Sequence, residues 1–173
     1  MKYIGLILLL IYPLLIITGC GYKPTSHYAK NSISGDVYVD VKIDINNAQN
    51  SVLIKDAMNE MVLNQFEATL TNNKAIADTV VIVSLSSVSH TAISSDNEGY
   101  AKTYRTSVTI SVSYEKQNSS SVALKVSNYY DYSVDADSTL TTQKKQEAVK
   151  IAATKALSDI FSKIAITTLK EKK

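Results

Sequence analysis

The chain has 173 residues with 18 basic and 16 acidic side chains, which give a formal net charge of +2. This near-neutral balance disfavours nucleic acid as a partner, and Arg105 is the single arginine, whereas readers of phosphate backbones use many forked donors. The single cysteine, Cys20, excludes a disulfide framework and a cysteine-based metal site within one chain. We expect no bound cofactor.

The N-terminus has the parts of a secretory signal peptide. A short basic start is followed by an apolar stretch from Ile4 to Thr18 and by small residues. Residues 17–20, Ile-Thr-Gly-Cys, match a bacterial lipobox, in which a branched apolar residue and small residues precede a cysteine that is acylated before cleavage. We predict a lipoprotein signal peptide over residues 1–19 and lipidation at Cys20.

A transmembrane anchor is the alternative for this stretch. Its 15 residues from Ile4 to Thr18 fall short of the roughly 20 that span a bilayer, and Pro13 interrupts them. Acylation at Cys20 instead attaches a protein to the membrane, and three acyl chains make that attachment effectively permanent. Gly21, in place of Asp, permits transfer to the outer membrane in many Gram-negative bacteria. We therefore predict a lipid-anchored protein of a Gram-negative outer membrane.

The remaining chain is predicted to hold a tether and one domain. Residues 20–35 show neither a helical nor a strand period and are predicted to form the lipidated N-terminus and tether, followed by a single domain over 36–173. The domain begins with a strand from Asp36 to Ile45, where apolar and polar residues alternate. A helix from about Ser51 to Leu70 follows, with the apolar stripe Val52, Met58, Met61, Val62, Phe66 and Leu70.

Three further strands and a helix complete the predicted domain. A β-branched run within 77–93 is apolar on both sides at its start, which is typical of a strand interior to a sheet. A hairpin loop at 94–99 leads to a strand that alternates from Tyr104 to Tyr114, and a turn at 116–120 leads to another that ends near Val134. A long final helix starts at Thr141 or Thr142, with the apolar stripe Val149, Ala152, Ala153, Ala156, Ile160, Ile164 and Ala165.

These elements predict an α+β fold, in which two helices pack on one face of a four-stranded mixed sheet in the order β-α-β-β-β-α. The helical connection makes the first two strands parallel, with a right-handed crossover. The opposite face of the sheet is rich in Ser, Thr, Tyr and Asp, and we expect no helix to cover it. Tyr38, Thr109, Lys125 and Tyr129 on this face suit either water or a protein partner.

Residues that carry chemistry are sparse in this sequence. His27 and His90 lack the spacing and the carboxylate neighbours of a zinc site, and the chain has no nucleophile elbow, phosphate-binding loop or dinucleotide fingerprint. Asp131, Asp135 and Asp137 leave a carboxylate pair or a calcium site open, although a solvated strand end is favoured. We therefore predict a binding or assembly protein and not an enzyme.

Two basic residues, Lys102 and Arg105, follow directly after the 94–99 loop. An ammonium and a forked guanidinium at this position suit a phosphorylated glycolipid, because both donate charge-assisted hydrogen bonds to phosphate. Two ordinary surface charges are the simpler interpretation. Lys102 and Arg105 are the candidate ligand-binding residues.

The chain resembles a known family in several places. The features are the sequence Cys-Gly-Tyr-Lys-Pro at 20–24, the order of strands and helices, Gly99-Tyr100 with Tyr104-Arg105 at the start of the third long strand, and the alanine-rich C-terminal helix. Together they resemble the LPS-assembly lipoprotein (LptE) family, particularly its epsilonproteobacterial branch, over nearly the whole chain.

The resemblance implies a lipid-anchored domain that plugs a large LptD-type outer-membrane β-barrel, helps it assemble, and supports delivery of lipopolysaccharide to the outer leaflet. It also implies direct contact between lipopolysaccharide and basic side chains at one end of the sheet, for which Lys102 and Arg105 are the candidates. Two other classes stay open. One is a periplasm-facing lipoprotein that activates a cell-wall enzyme or pilots a secretin, and the other is a hydrolase.

Overall fold

The computed structural model describes residues 25–43, 48–95, 97, 99–117, 119–134 and 141–171. Within these ranges the chain forms three α-helices, one short 3₁₀ helix and five strands. In chain order they are α1 (Thr25–Ser32), β1 (Asp36–Lys42), α2 (Ala48–Asn64), β2 (Thr69–Leu70), the 3₁₀ helix (Lys74–Ile76), β3 (Thr79–Ser95), β4 (Ala101–Lys116), β5 (Val122–Ser133) and α3 (Thr142–Glu171). The predicted lipobox and Cys20 lie outside the described residues.

The strands form one mixed sheet in the order β2-β1-β3-β4-β5. β1 is parallel to both β2 and β3, whereas β3, β4 and β5 are antiparallel neighbours. The α+β class and the mixed sheet are therefore confirmed, and β3 lies inside the sheet as its apolar start predicts. The fifth strand is β2, which has two residues and is too short to leave an alternating pattern in the sequence.

Alternation along the strands places the core on one face of the sheet. Val37 and Val39 of β1 are buried, and Tyr38 between them is half-buried. Val108 and Ile110 of β4 have no exposed surface, as the predicted face requires. Side chains of a strand point alternately to opposite faces, so this period of two directs the β-branched residues towards the helices.

α3 covers the apolar face of the sheet at β4 and β5, and α2 covers it at β1, β2 and β3. The 30 residues of α3 span about 45 Å, and this helix packs on β4, β5, α1 and α2. All seven residues of the predicted stripe are buried, and Leu157 joins them. The stripe is rich in alanine, which brings the helix backbone close to the sheet.

α2 begins and ends earlier than predicted, at Ala48 and Asn64. Met58 and Val62 are buried as predicted, but Val52 is 52% exposed, so its place in the stripe is wrong. Val52 lies six residues before Met58, which rotates it about 120° around the helix, whereas Ile54 lies one turn before Met58 and is buried instead.

Part of the predicted tether is folded. Residues Thr25–Ser32 form α1, and Ala29 and Ile33 have no exposed surface because they pack into the same core as α3. The Ser32 hydroxyl lies 2.6 Å from the Thr168 hydroxyl near the C-terminal end of α3. The two buried residues are one helical turn apart, too short a repeat to predict a helix from the sequence.

Gly35 joins α1 to the sheet in a tight turn. Its φ of +76° suits glycine, and a Cβ there would overlap the Asp78 carboxylate. Asp78 Oδ2 accepts a hydrogen bond of 2.9 Å from the Asp36 amide, and the buried Thr79 hydroxyl donates one of 3.0 Å to the Ser34 carbonyl. These bonds fix the start of β1 against the start of β3.

The β3–β4 hairpin is much longer than β1. β3 has 17 residues, about 56 Å when extended, and it is mostly buried as far as Leu85 and mostly exposed beyond it. We call the end of the domain that holds the β3–β4 connection, the end of β5 and the start of α3 the hairpin end. The opposite end holds α1, Gly35 and the C-terminal end of α3.

Candidate functional site

The open face of the sheet, opposite the helices, is polar and lined mainly by hydroxyl groups. The described helices leave it uncovered, as predicted. Thr109 and Ser127 share a hydrogen bond of 2.7 Å across β4 and β5, and Ser86 and Ser111 share one of 2.9 Å. Its side chains include Tyr38, Asp40, Ser84, Ser86, Arg105, Ser107, Thr109, Ser111, Ser113, Lys125, Ser127, Tyr129 and Asp131, and the apolar Val80 and Ile82 lie beside Tyr38 and Asp40.

Arg105 makes the most elaborate contact on the open face. The β4–β5 register sets Arg105 opposite Asp131, and the guanidinium donates from Nε and Nη2 to the two carboxylate oxygens at 2.7 Å each. The same guanidinium carbon lies 4.0 Å from the centre of the Tyr129 ring. A bidentate pair combined with ring stacking holds the side chain in one orientation.

The charges of this pair are fixed across the physiological pH range. The hydrogen bond from Arg105 lowers the pKa of Asp131, and the same bond raises the pKa of Arg105. Both groups therefore stay ionised, and together they are neutral. A phosphate that approaches Arg105 competes with Asp131 for the two donor groups.

Lys102 lies near the start of β4 and is half-buried. Its carbonyl accepts a hydrogen bond of 2.8 Å from the Val134 amide, and the β3–β4 register shifts beside it, between Ser94 and Ser95. Arg105 lies three residues further along the regular part of β4 and makes its contacts with β5. Nothing in the structure tests whether these two residues bind lipopolysaccharide, and that role stays a prediction.

A row of tyrosines on the helix side of the hairpin end is a feature that the sequence analysis did not single out. Tyr130 stacks on Tyr132, and Tyr132 stacks on Tyr104, with ring centres 6.1 Å apart in both cases. Lys155 of α3 lies over the Tyr130 ring at 5.1 Å. The Tyr132 hydroxyl is buried with no hydrogen-bond partner among the described residues. The sequence carries a signal for this row, because Tyr130 and Tyr132 are two residues apart and therefore lie on one face of the strand.

His90 lies on the same side of the sheet. Its Nδ1 is 2.7 Å from the Thr106 hydroxyl, and Thr106 is fully buried. Burial lowers the pKa of His90, and the charge of Lys145 at the start of α3 lowers it further. His90 is therefore a neutral packing residue with one hydrogen bond, and it has no catalytic neighbour among the described side chains.

Metal binding finds no support in the described part of the chain. No three His, Cys, Asp or Glu side chains there lie close enough to share an ion. Asp131 is committed to Arg105, and Asp135 and Asp137 lie outside the described residues. None of the described helices has an apolar stretch long enough to cross a membrane.

Comparison with solved structures defines the class of fold. The chain is similar to rare lipoprotein B from Shewanella oneidensis, with a TM-score of 0.51 and 14% identity, covering 79% of this chain and 99% of that chain. It is also similar to lipoprotein B from Nitrosomonas europaea, with a TM-score of 0.50 and 11% identity, covering 86% and 93%. The chain therefore has the α+β fold of these small lipoprotein domains.

The family follows from the sequence. The family model of LptE, described as lipopolysaccharide-assembly, matches residues 38–164, and the chain belongs to this family. The resemblance to the LptE family is therefore confirmed. No curated protein sequence matches the chain.

Proposed function

We propose that this protein is an outer-membrane lipoprotein that is anchored through acylated Cys20 and plugs the lipopolysaccharide-transport β-barrel, an LptD-type protein. In this role it assists assembly of the barrel and supports delivery of lipopolysaccharide to the outer leaflet. Membership of the LptE family supports an assembly role and not a catalytic one. The observation that carries the proposal is the open face, a long polar surface that the described helices leave uncovered.

The chemistry of the open face suits the wall of a barrel lumen. The interior of a transmembrane β-barrel is polar, and hydroxyl groups such as those of Ser107, Thr109 and Ser111 donate and accept hydrogen bonds with little conformational cost. Arg105 and Tyr129 are of the residue types that concentrate binding energy at protein interfaces, and Asp131 already holds Arg105 in place. The face is thus preorganised for a protein surface.

Lipopolysaccharide contact remains part of the proposal at Lys102 and Arg105. The two residues lie in the half of β4 nearest the hairpin end, at the end of the domain away from α1, and their spacing of three places them on opposite faces of the sheet. Arg105 takes part only where a phosphate replaces the Asp131 carboxylate.

The test is recovery of the partner from membranes. We expect the tagged full chain, solubilised in mild detergent, to retain one large outer-membrane β-barrel in a stoichiometric complex. Ser111→Trp places a bulky ring at the centre of the open face and should abolish that recovery. Lys150→Trp adds the same ring on the solvent side of α3 and is the matched control.

Other outcomes of this test point to other functions. Recovery of a cell-wall enzyme or a secretin would replace the plug with the role of an activator or a pilot protein. Recovery of the barrel with both variants would show that the open face is not the surface that docks.

A further inference from the structure

Among the described residues, the outer edge of β1 is paired over only part of its length. The Gly35 and Val37 carbonyls accept hydrogen bonds of 3.1 Å and 2.9 Å from the Thr69 and Thr71 amides of the β2 segment. Amide and carbonyl groups of alternate residues in a strand point to the same edge. The backbone groups of Val39 and Val41 therefore point to this edge too, and β2 ends at Leu70, before it reaches them.

Local turns explain why β2 ends so early. The Thr71 hydroxyl accepts a hydrogen bond from the Asn73 amide, and the Asn73 side chain accepts one of 3.0 Å from the Ala75 amide. These turns lead the chain into the 3₁₀ helix and away from β1. A cleft of about 240 Å³ lies between β1 and α2 where β2 would continue, and Val39, Lys55 and Leu70 are among its lining residues.

The opposite edge of the sheet, at β5, is treated differently. Lys163 of α3 donates a hydrogen bond to the Lys125 carbonyl at 3.3 Å, and the Asn128 side chain accepts one of 2.7 Å from the Tyr129 amide. Asp159 of α3 in turn accepts a hydrogen bond from Asn128. Side chains that occupy edge groups hinder the addition of another strand. Side chains thus occupy backbone groups at the β5 edge, whereas the β1 edge borders a cleft.

We propose that the β1 edge at Val39 and Val41 receives an extended segment of a partner protein, which adds to the sheet as a strand in place of the missing part of β2. The amide and carbonyl groups of these two residues bind the main chain of the segment, as in β-augmentation. Lys55 is the only charged residue among those that line the cleft, so it favours a segment with an acidic side chain.

Charge also decides between a partner protein and a second copy of the chain. Two copies that paired through this edge would each bring a Lys55 side chain to the shared cleft, and like charges brought together in this way are unfavourable. A segment of a different protein meets no such penalty. The proposal goes beyond the plug role, because it does not depend on which protein supplies the strand.

The experiment uses photo-crosslinking of the full chain in cells. A photoreactive residue replaces Asn72, which lines the cleft, and in a second variant it replaces Lys150 as the control position. We expect a covalent adduct with one partner at Asn72 and none at Lys150. Peptide mapping should place the crosslink in an extended segment of the partner.

Val41→Pro is the decisive variant. Proline removes the amide that points to the outer edge, whereas the hydrogen bonds between β1 and β3 use the alternate residues. We expect the adduct to fall at least tenfold in Val41→Pro and to persist in Val41→Ala, which keeps the amide. Asn59→Trp fills the cleft without altering the strand backbone and should have the same effect as Val41→Pro, which keeps the test valid if the proline variant is unfolded.

The outcomes separate this proposal from the plug role. Absence of an adduct at Asn72, an adduct between two copies of this chain, or an adduct that persists in both Val41→Pro and Asn59→Trp would overturn the proposal, even if the barrel is recovered from membranes. An adduct with a different protein, the barrel or any other, that both variants abolish would support the proposal, and recovery of the barrel from membranes tests the plug role separately.

Discussion

Gly35→Ala is expected to destabilise the domain more than the equivalent change at Gly99. Both glycines have positive φ, +76° and +88°, where a side chain costs about 1–2 kcal/mol. A Cβ at Gly99 has no heavy atom within 4 Å, whereas a Cβ at Gly35 meets the Asp78 carboxylate. Moving Asp78 removes its hydrogen bond to the Asp36 amide, which contributes about 1 kcal/mol at this exposed position.

Thermal unfolding followed by circular dichroism measures this difference. A further loss of about 1 kcal/mol lowers Tm by roughly 2–4 °C in a domain of this size, so Gly35→Ala should melt below Gly99→Ala by that margin. In the background of Asp78→Ala the difference between the two glycine changes should shrink, because the carboxylate that the Gly35 Cβ would overlap is gone and only the Cβ of residue 78, at 2.9 Å, remains in its way. Equal Tm values for Gly35→Ala and Gly99→Ala in the wild-type background would refute the reasoning.

Four other changes have expected outcomes. Ile160→Ala should lower the free energy of unfolding by about 2–5 kcal/mol in urea titration, because Ile160 is fully buried, and a loss under about 1 kcal/mol would contradict the packing. The folded state lowers the pKa of His90 from 6.5, so stability is present above pH 6.5 and lost as pH falls below it; the drop in Tm from pH 7.5 to 5.5 should shrink in His90→Gln. Asp131→Asn frees the guanidinium of Arg105: tighter binding of lipopolysaccharide would assign Arg105 to phosphate, and weaker recovery of the barrel would assign the pair to the protein interface. Cys20→Ser should leave the precursor uncleaved and without acyl chains, as seen by mass and by labelling with a fatty acid, and normal outer-membrane placement would argue against the lipobox.

The strands were predictable because a strand with one buried face alternates apolar and polar residues along the sequence. Val37 and Val39 alternate with Tyr38 and Asp40, and the same residues are buried and half-buried in the structure. The stripe of α3 was predictable for the same reason, since its repeat extends over several turns. A long amphipathic period requires only that one face of the helix or strand is covered by another layer. It does not depend on which residues of that layer make the contacts.

Elements without a long period were not predictable. Ala29 of α1 and Ile33, which follows α1, are buried only because α3 packs against them, and α3 is more than a hundred residues away in the sequence. The site shows the same limit. Arg105 stood out as the single arginine, but its pairing with Asp131 depends on the β4–β5 register, which no local pattern states. The sequence predicts Arg105 as a phosphate donor or an ordinary surface charge, whereas the structure shows it in a neutral pair with Asp131.

Because α1 packs on α3, it shortens the predicted tether between Cys20 and the domain. Only residues 21–24 separate Cys20 from Thr25, and four residues extend at most about 14 Å, whereas the 15 residues of the predicted tether would reach about 50 Å. If Cys20 carries the acyl chains, the domain is confined to a thin layer above the membrane, with the end that holds α1 nearest the lipid. Confinement of this kind raises the local concentration for a partner in the same bilayer and removes most wrong orientations before contact.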